Sequence, residues 1–315
     1  MVKTELKMET ILITGGNGLI GRHLSEKLKK KGYRVTTLSR SAKISNRQEQ
    51  YFWDPENDRI DPEAVAGADY IIHLAGANLG EKRWSSRRKE TIINSRVKTA
   101  ELLFQEAAKN PLRLKVFISS SAIGYYGAIT RETIFRESDP PSPDFLGETC
   151  RLWEESASRF EDEGIRTIVL RTGVVLTSRG GALAKMTPLV RFGLGSPLGS
   201  GQQYLPWIHI DDLCNIYIKA VEDISMKGVY NAVAPEIPTN RAFYRTLARV
   251  LKRPLLLSPV PAFLLKAVLG EMSVMLLEGS RVSPEKIISA GFDFRFPMLE
   301  GALFDLLSET PEPGT

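Results

Sequence analysis

The chain has 315 residues, 43% of them hydrophobic and 25% charged, the make-up of an ordinary soluble globular protein able to bury a large core. Its 42 Lys and Arg stand against 37 Asp and Glu, and the formal net charge of +5 is spread along the sequence, which argues against a nucleic-acid or membrane tether. Two cysteines, Cys150 and Cys214, are too few for a disulfide framework or a zinc site; they fit a reducing, cytoplasmic setting, and no metal is expected.

Met1–Thr10 (MVKTELKMET) carries charges and no apolar targeting core. Ile11–Thr14 then predicts a short strand, the glycines after it a turn, and the one-sided positions Leu19, Ile20, His23, Leu24 and Leu28 a helix. Gly32 ends that helix, and Arg34–Leu38 is β-branched and short, so a second, parallel strand completes a βαβ unit. The alternation continues with a strand at Tyr70–Leu74, a helix near Lys89–Lys109, a strand at Lys115–Ser119, a helix near Gly147–Glu163 and a strand at Thr167–Leu170. Strands separated by helices imply an α/β fold, a Rossmann-type doubly wound parallel sheet covered on both faces.

After Arg171 the glycines at 180, 181, 193, 195, 199 and 201 interrupt any long periodic element and suggest a smaller C-terminal substrate lobe. Trp207–Ala220 resumes as strand and helix, Val229–Val233 as a strand, and Asn240–Leu251 is amphipathic. The expected organisation is a dinucleotide-binding domain from 9–177 with about 203–233, a substrate lobe from 178–202 with 234–308, and flexible tails at 1–8 and 309–315. The apolar stretch Leu255–Leu277 is broken by Pro259, Pro261, Lys266 and Glu271, so it is no membrane span and reads as core or as the surface of a homodimer.

Chemistry enters at Thr14-Gly15-Gly16-Asn17-Gly18-Leu19-Ile20-Gly21. Glycines at 15, 18 and 21 allow a tight turn, approach of the backbone to a pyrophosphate and close helix packing. The amides of the loop and helix start, Asn17, Gly18, Leu19 and Ile20 among them, face the anion. An NAD site would place an acidic residue at the end of the second strand, to bind the ribose 2′-hydroxyl. Here that place reads Leu38-Ser39-Arg40-Ser41, with no acid between Gly32 and Gln48. Arg40 with Ser39 suits a 2′-phosphate instead, so NADP(H) is the expected cofactor.

Together these segments resemble the extended short-chain dehydrogenase/reductases of the NAD(P)-dependent epimerase/dehydratase superfamily over nearly the whole chain. His73-Leu74-Ala75-Gly76 looks like the family's fourth-strand motif along the cofactor, Ser119-Ser120-Ser121-Ala122 like its fifth-strand serine segment, and Trp207 to Leu213 (WIHIDDL) like its late strand-to-helix motif. WIHIDDL, Gly199 to Gln203 and the end segment from Pro259 to Phe292 are similar to an atypical subfamily, labelled nucleoside-diphosphate-sugar epimerases or cell-division inhibitors. The resemblance implies cofactor contacts from Leu74, Ala75, Gly76 and Ser119.

It also implies a catalytic tyrosine with a lysine four residues later. A phenol near pKa 10 must be drawn toward neutrality by positive charge to exchange protons. Aligning on Trp153-Glu154 places that pair at Leu146 and Cys150, and Asp144–Arg151 holds no tyrosine. The expected substitutes are Ser121, as the substrate-binding hydroxyl, and Tyr126, as acid/base; a tyrosine bound to backbone is the alternative for the latter. Gln203, Tyr204, Trp207, His209 and Arg191 are the expected substrate contacts, with loop packing, or capping by His209, as the alternative. The leading expectation is therefore an NADP(H)-dependent epimerase-like oxidoreductase on a small polar substrate, a sugar nucleotide or carbonyl compound. Its rival is a noncatalytic NADP(H) sensor or scaffold.

Overall fold

The computed structural model of the chain describes residues 8–41, 49–109, 113–255 and 258–308. Of the ends expected to be flexible, 1–8 and 309–315, residues 1–7 and 309–315 lie outside the described residues.

The strands in chain order are β1 Thr10–Thr14, β2 Arg34–Ser39, β3 Gln50–Asp54, β4 Arg59–Ile60, β5 Tyr70–His73, β6 Val116–Ala122, β7 Ile134–Phe135, β8 Arg166–Thr172, β9 Val174–Leu176, β10 Trp207–His209, β11 Gly228–Ala232 and β12 Arg281–Val282. The longer helices are α1 Leu19–Lys30, α3 Ser86–Ala107, α4 Phe145–Asp162, α5 Gly181–Arg191, α6 Ile210–Glu222 and α7 Asn240–Val250, with α2 Pro62–Ala66 between β4 and β5. Four further helices follow: α8 Ala262–Leu269, α9 Val274–Leu277, α10 Glu285–Ser289 and α11 Leu299–Ser308.

Eight strands form one sheet in the order β11-β8-β6-β5-β1-β2-β3-β4, parallel throughout except where β4 runs against β3. The order reverses between β5 and β1, which opens a crevice outside the carboxyl ends of those two strands. Alternation along each strand divides the core. Ile11, Ile13, Ile72, Ile118, Ile168 and Leu170 pack with Leu24 and Leu28 of α1 and Leu213 and Ile216 of α6. Leu12, Ile71, Phe117 and Val169 pack with Leu103 of α3 and Ala157 and Phe160 of α4. Burying one such side chain contributes roughly 1.5–3 kcal/mol, so both faces must stay covered.

Three differences from the sequence reading have local causes. The hairpin β3–β4 extends the sheet at an edge with strands of five and two residues joined by two residue pairs, too short a run for alternation to stand out. Gly181–Arg191 is a helix despite its leading glycines and Pro188, because Leu183, Thr187 and Val190 recur at helical spacing and are buried. The Leu255–Leu277 stretch is not core, since neither α8 nor α9 buries a residue. Two small parallel pairs, β9 with β10 and β7 with β12, attach the remaining chain to the carboxyl end of the sheet.

Candidate functional site

The glycine loop sits at the crevice. Gly15 is held at φ +67°, in the left-handed region, and a Cβ there would stand 3.0 Å from the backbone of Leu74. On Gly21 a Cβ would lie 2.7 Å from the Cα of Gly16 and closer still to the carbonyl oxygen of Gly15. Helix α1 begins at Leu19 after an N-cap, Gly18, that makes no side-chain cap and with no acidic residue in its first turn. Its free amides and positive dipole end therefore face the loop unopposed, the chemistry an anion selects. Ser39, nearly buried, and the exposed Arg40 end β2 beside this loop, and Thr37 of the same strand packs under Gly16.

A buried polar chain fixes the other wall. The Thr14 hydroxyl oxygen accepts from the backbone amides of Leu74 and Ala75, both at 3.1 Å, and lies 2.8 Å from His73 Nδ1. Thr99 donates to the carbonyls of Ser95 and Arg96, so it receives the His73 Nε2 proton at 3.3 Å; Thr14 then donates to Nδ1. This pins the Leu74-Ala75-Gly76 segment to the end of β1. Burial lowers His73 from 6.5 to about 4, and the Arg96 charge pushes the same way. His209, 1% exposed, is likewise lowered to about 4 by burial.

A folded-state pKa below the unfolded value means that the native fold favours neutral imidazole. Stability is then full above about pH 6.5 and is lost as pH falls toward 4. His73 alone accounts for about 3 kcal/mol across that window. The Asp211 carboxyl, held down by His23 and Lys27, acts only in more acidic solution. The urea midpoint is therefore expected to fall markedly between pH 7.5 and pH 5, and a midpoint independent of pH over that range would refute the buried-neutral assignment.

Arg96 was missed by the sequence reading. Its guanidinium is 8% exposed and donates to the carbonyls of Ile92 (2.9 Å) and Ala77 (3.2 Å). It stacks over Trp153 at 4.9 Å and lies 3.1 Å from the place a Cβ on Gly76 would take. Burial lowers it to about 10. A cation thus sits directly under the segment that faces the crevice. The available signal was an arginine within the apolar stripe Ile92, Thr99, Ala100 and Leu103 of α3.

A second network lies at the ends of β6, β8 and β11, where Ser121, Arg171 and Asn231 stand side by side in register. Ser121 donates to Glu154 Oε1 at 2.7 Å, and Arg171 grips the same carboxylate through Nε (2.9 Å) and Nη2 (2.8 Å). Arg171 Nη1 donates to Tyr126 Oη at 2.8 Å, and Tyr126 donates to Asn231 Oδ1 at 2.8 Å. Burial would lower the Arg171 guanidinium, but the hydrogen bonds and charge of Glu154 outweigh it and raise it. Tyr126 is 1% exposed and pushed up to about 12 by burial, with both functions of its oxygen engaged. Leu146 and Cys150, where the resemblance puts tyrosine and lysine, are buried beneath the short turn Ile123–Tyr126. Gly124 there would place a Cβ 3.5 Å from Leu146 and 3.8 Å from the Cys150 sulfur. Burial pushes the Cys150 thiol up to about 12. Glu154 also escaped the sequence reading, although it lies one turn beyond Cys150 and next to Trp153 on the buried side of α4.

The expected substrate contacts do not converge. Gln203, 2% exposed, donates to the carbonyls of Leu198 (3.0 Å) and Leu276 (2.6 Å), and Trp207 is fully buried in the core. His209 caps α6 by accepting from Asp211 N and meets Asp305 at 3.3 Å, while His23 is paired with Asp211 at 2.7 Å. Tyr204 donates to Glu132 at 2.7 Å, and Arg191 stands exposed at the end of α5. Ser119, fully buried, bonds its own neighbour's carbonyl at 3.0 Å. Among the described residues no group of three His, Cys, Asp or Glu could hold a metal, and no helix is long and apolar enough to cross a membrane.

Residues 11–232 match the NAD dependent epimerase/dehydratase family, and residues 260–306 match a domain of unknown function, DUF1731. The chain is 35% identical over 300 residues to epimerase family protein YfhF of Bacillus subtilis, covering 95% of this chain and 98% of that one. It is 38% identical over 306 residues to the chloroplastic SDR39U1 homolog of Arabidopsis thaliana, covering 93% and 85%. The crystal structure of human epimerase family protein SDR39U1 with NADPH superimposes with a TM-score of 0.86 at 32% identity, over 96% of this chain and all of that one. A glycine-cradled crevice at the switch point of this sheet and a family match over most of its length agree: the chain belongs to the NAD dependent epimerase/dehydratase family.

Proposed function

We propose that the chain binds NADP(H) across the ends of β1, β2 and β5. It would use the cofactor on a small substrate bearing a carbonyl or alcohol group, with segments 178–202 and 234–308 as the substrate lobe. One observation carries this reading: a cradle that only glycine fits opens beside a strand end carrying Ser39 and Arg40 and no acid. The NADPH held by the human relative supports the same choice. When bound, the nicotinamide supplies or accepts hydride. The uncapped start of α1 holds the pyrophosphate, Arg40 and Ser39 the 2′-phosphate, and Arg96 adds positive charge under Gly76.

Ser121, 2% exposed near the end of β6, directs its proton at Glu154 at 2.7 Å. In this reading Ser121 and Glu154 replace the missing tyrosine and lysine as the route for a proton, and Tyr126 is a strut that holds Arg171 against Glu154. The two free, buried cysteines support a reducing compartment. A noncatalytic NADP(H) sensor is the second reading, favoured by the burial of Leu146 and Cys150 where the acid/base pair would stand.

Loss of charge-assisted hydrogen bonds is worth about 1.5–3 kcal/mol. Arg40→Ala is thus expected to weaken NADPH binding by roughly 10- to 100-fold and to leave NADH binding unchanged, as read by quenching of protein fluorescence. Equal affinity for both cofactors, before and after the substitution, would refute the 2′-phosphate assignment.

A further inference from the structure

A dinucleotide in this crevice has a direction. Its 2′-phosphate end belongs with Ser39 and Arg40 on β2, and its pyrophosphate with the start of α1 after β1. Since β5 flanks β1 on the side away from β2, the nicotinamide half extends over the end of β5. There the chain runs Leu74-Ala75-Gly76-Ala77, and the Arg96 guanidinium lies beneath it. A Cβ on Gly76 would stand 3.1 Å from its Cζ and 3.3 Å from its Nη2, and Nη2 donates to the Ala77 carbonyl at 3.2 Å.

Arg96 is set apart by having no anion. No carboxylate among the described residues pairs with it, and its donors meet only the carbonyls of Ile92 and Ala77 and, at 3.5 Å, the Ser95 hydroxyl. Arg171, in contrast, is paired with Glu154 at 2.8 Å, and Arg88 with Glu81 at 3.0 Å. The Trp153 ring offers only its π face, 4.9 Å away. Cys150 stays a neutral thiol, since burial pushes it up to about 12. That position is also where the resemblance puts a lysine, so positive charge on this side of the crevice comes from α3 instead of α4. Burial lowers Arg96 only to about 10, which leaves it charged at neutral pH. A buried cation is ordinarily matched, because an uncompensated one is costly to keep.

The phosphates of NADPH and NADP⁺ are the same, but the reduced nicotinamide ring is neutral and the oxidised ring carries a positive charge. A fixed cation on the nicotinamide side therefore acts on the difference between the two forms. At an effective dielectric of about 20, two unit charges within roughly 10 Å change an equilibrium by about tenfold or more. We propose that Arg96 is a specificity-determining residue that makes this site select NADPH over NADP⁺. The inference rests on the reading of the crevice as an NADP(H) site. The protein is then loaded with the hydride donor, and the oxidised product of a hydride transfer is the form that leaves more readily. A residue that only supported the loop, or that served the pyrophosphate, would act on both forms alike.

The test is calorimetric titration of the full chain at pH 7.5 with NADPH and, separately, with NADP⁺. The parent is expected to hold NADPH at least about tenfold more tightly. Two neutral variants are compared with it: Arg96→Gln, which retains a donor for the Ala77 carbonyl, and Arg96→Met, which retains a stem against Trp153. In each the preference is expected to fall by about tenfold, and near-UV circular dichroism checks that the variant is folded. Equal affinity of the parent for the two forms overturns the proposal without recourse to any variant. A folded variant in which both affinities change by the same factor overturns it too, because support of the loop is then the whole role of Arg96. A parent that binds neither form overturns the cofactor reading itself and this inference with it, an outcome distinct from equal binding, which leaves that reading standing.

Discussion

Gly21→Ala is expected to reduce NADPH affinity on the order of 100-fold, the equivalent of about 3 kcal/mol of overpacking. The added methyl would press on the Gly15 carbonyl and on Gly16 Cα at 2.7 Å, so either α1 shifts along the sheet or the loop opens. Both movements take the amides at the helix start away from the pyrophosphate position. Helix propensity works in the opposite direction: alanine inside α1 is favoured over glycine by about 1 kcal/mol, so a loss of binding cannot be assigned to a weaker helix. Fluorescence titration with NADPH, set beside urea unfolding of the same variant, checks the prediction. Parental affinity in Gly21→Ala would show that no pyrophosphate is held against this loop.

The second large effect is on stability. Arg171→Ala would leave the Glu154 carboxylate, 11% exposed, with Ser121 as its remaining donor, and would remove the donor to Tyr126. Breaking a buried ion pair from one side typically costs 3–5 kcal/mol, because the surviving charge is uncompensated. A loss of about that size is expected in urea unfolding at pH 7. Removing both charges together, as Arg171→Met with Glu154→Leu, is expected to recover most of it while abolishing whatever depends on Ser121 and Glu154. If Arg171→Ala stays within about 1 kcal/mol of the parent, the pair is not buried as described.

What was readable in advance was local. The glycine spacing at 15, 18 and 21 states its own requirement, since a tight turn and a close helix are properties of adjacent residues, and the loop lies where that spacing places it. The parallel strands β1, β2, β5, β6 and β8 announce themselves as short apolar runs between helices, because each must be covered on both faces. The loss of the tyrosine and lysine was equally visible at Leu146 and Cys150. The apolar character of 255–277 was visible too, but its location was not, because hydropathy marks a residue that gains by burial without saying whether this chain supplies the cover.

Beyond that, distance in space decided. Ser121, Arg171 and Asn231 come from strands far apart in the sequence, and only the register of β6, β8 and β11 sets them in one row under Glu154. The same packing turned Gln203, Trp207 and His209 inward, where backbone groups or core claim them; a polar side chain in a glycine-rich segment carries no mark of the direction it faces. Arg96 and Glu154 look like solvated helix charges when read one at a time. Each is buried because the opposite face of its helix is the one that meets water. Sequence determined the cofactor loop and the sheet, since their signals are carried by neighbouring residues. Tertiary structure decided which polar groups meet, since partners for buried charges are chosen by packing across the fold.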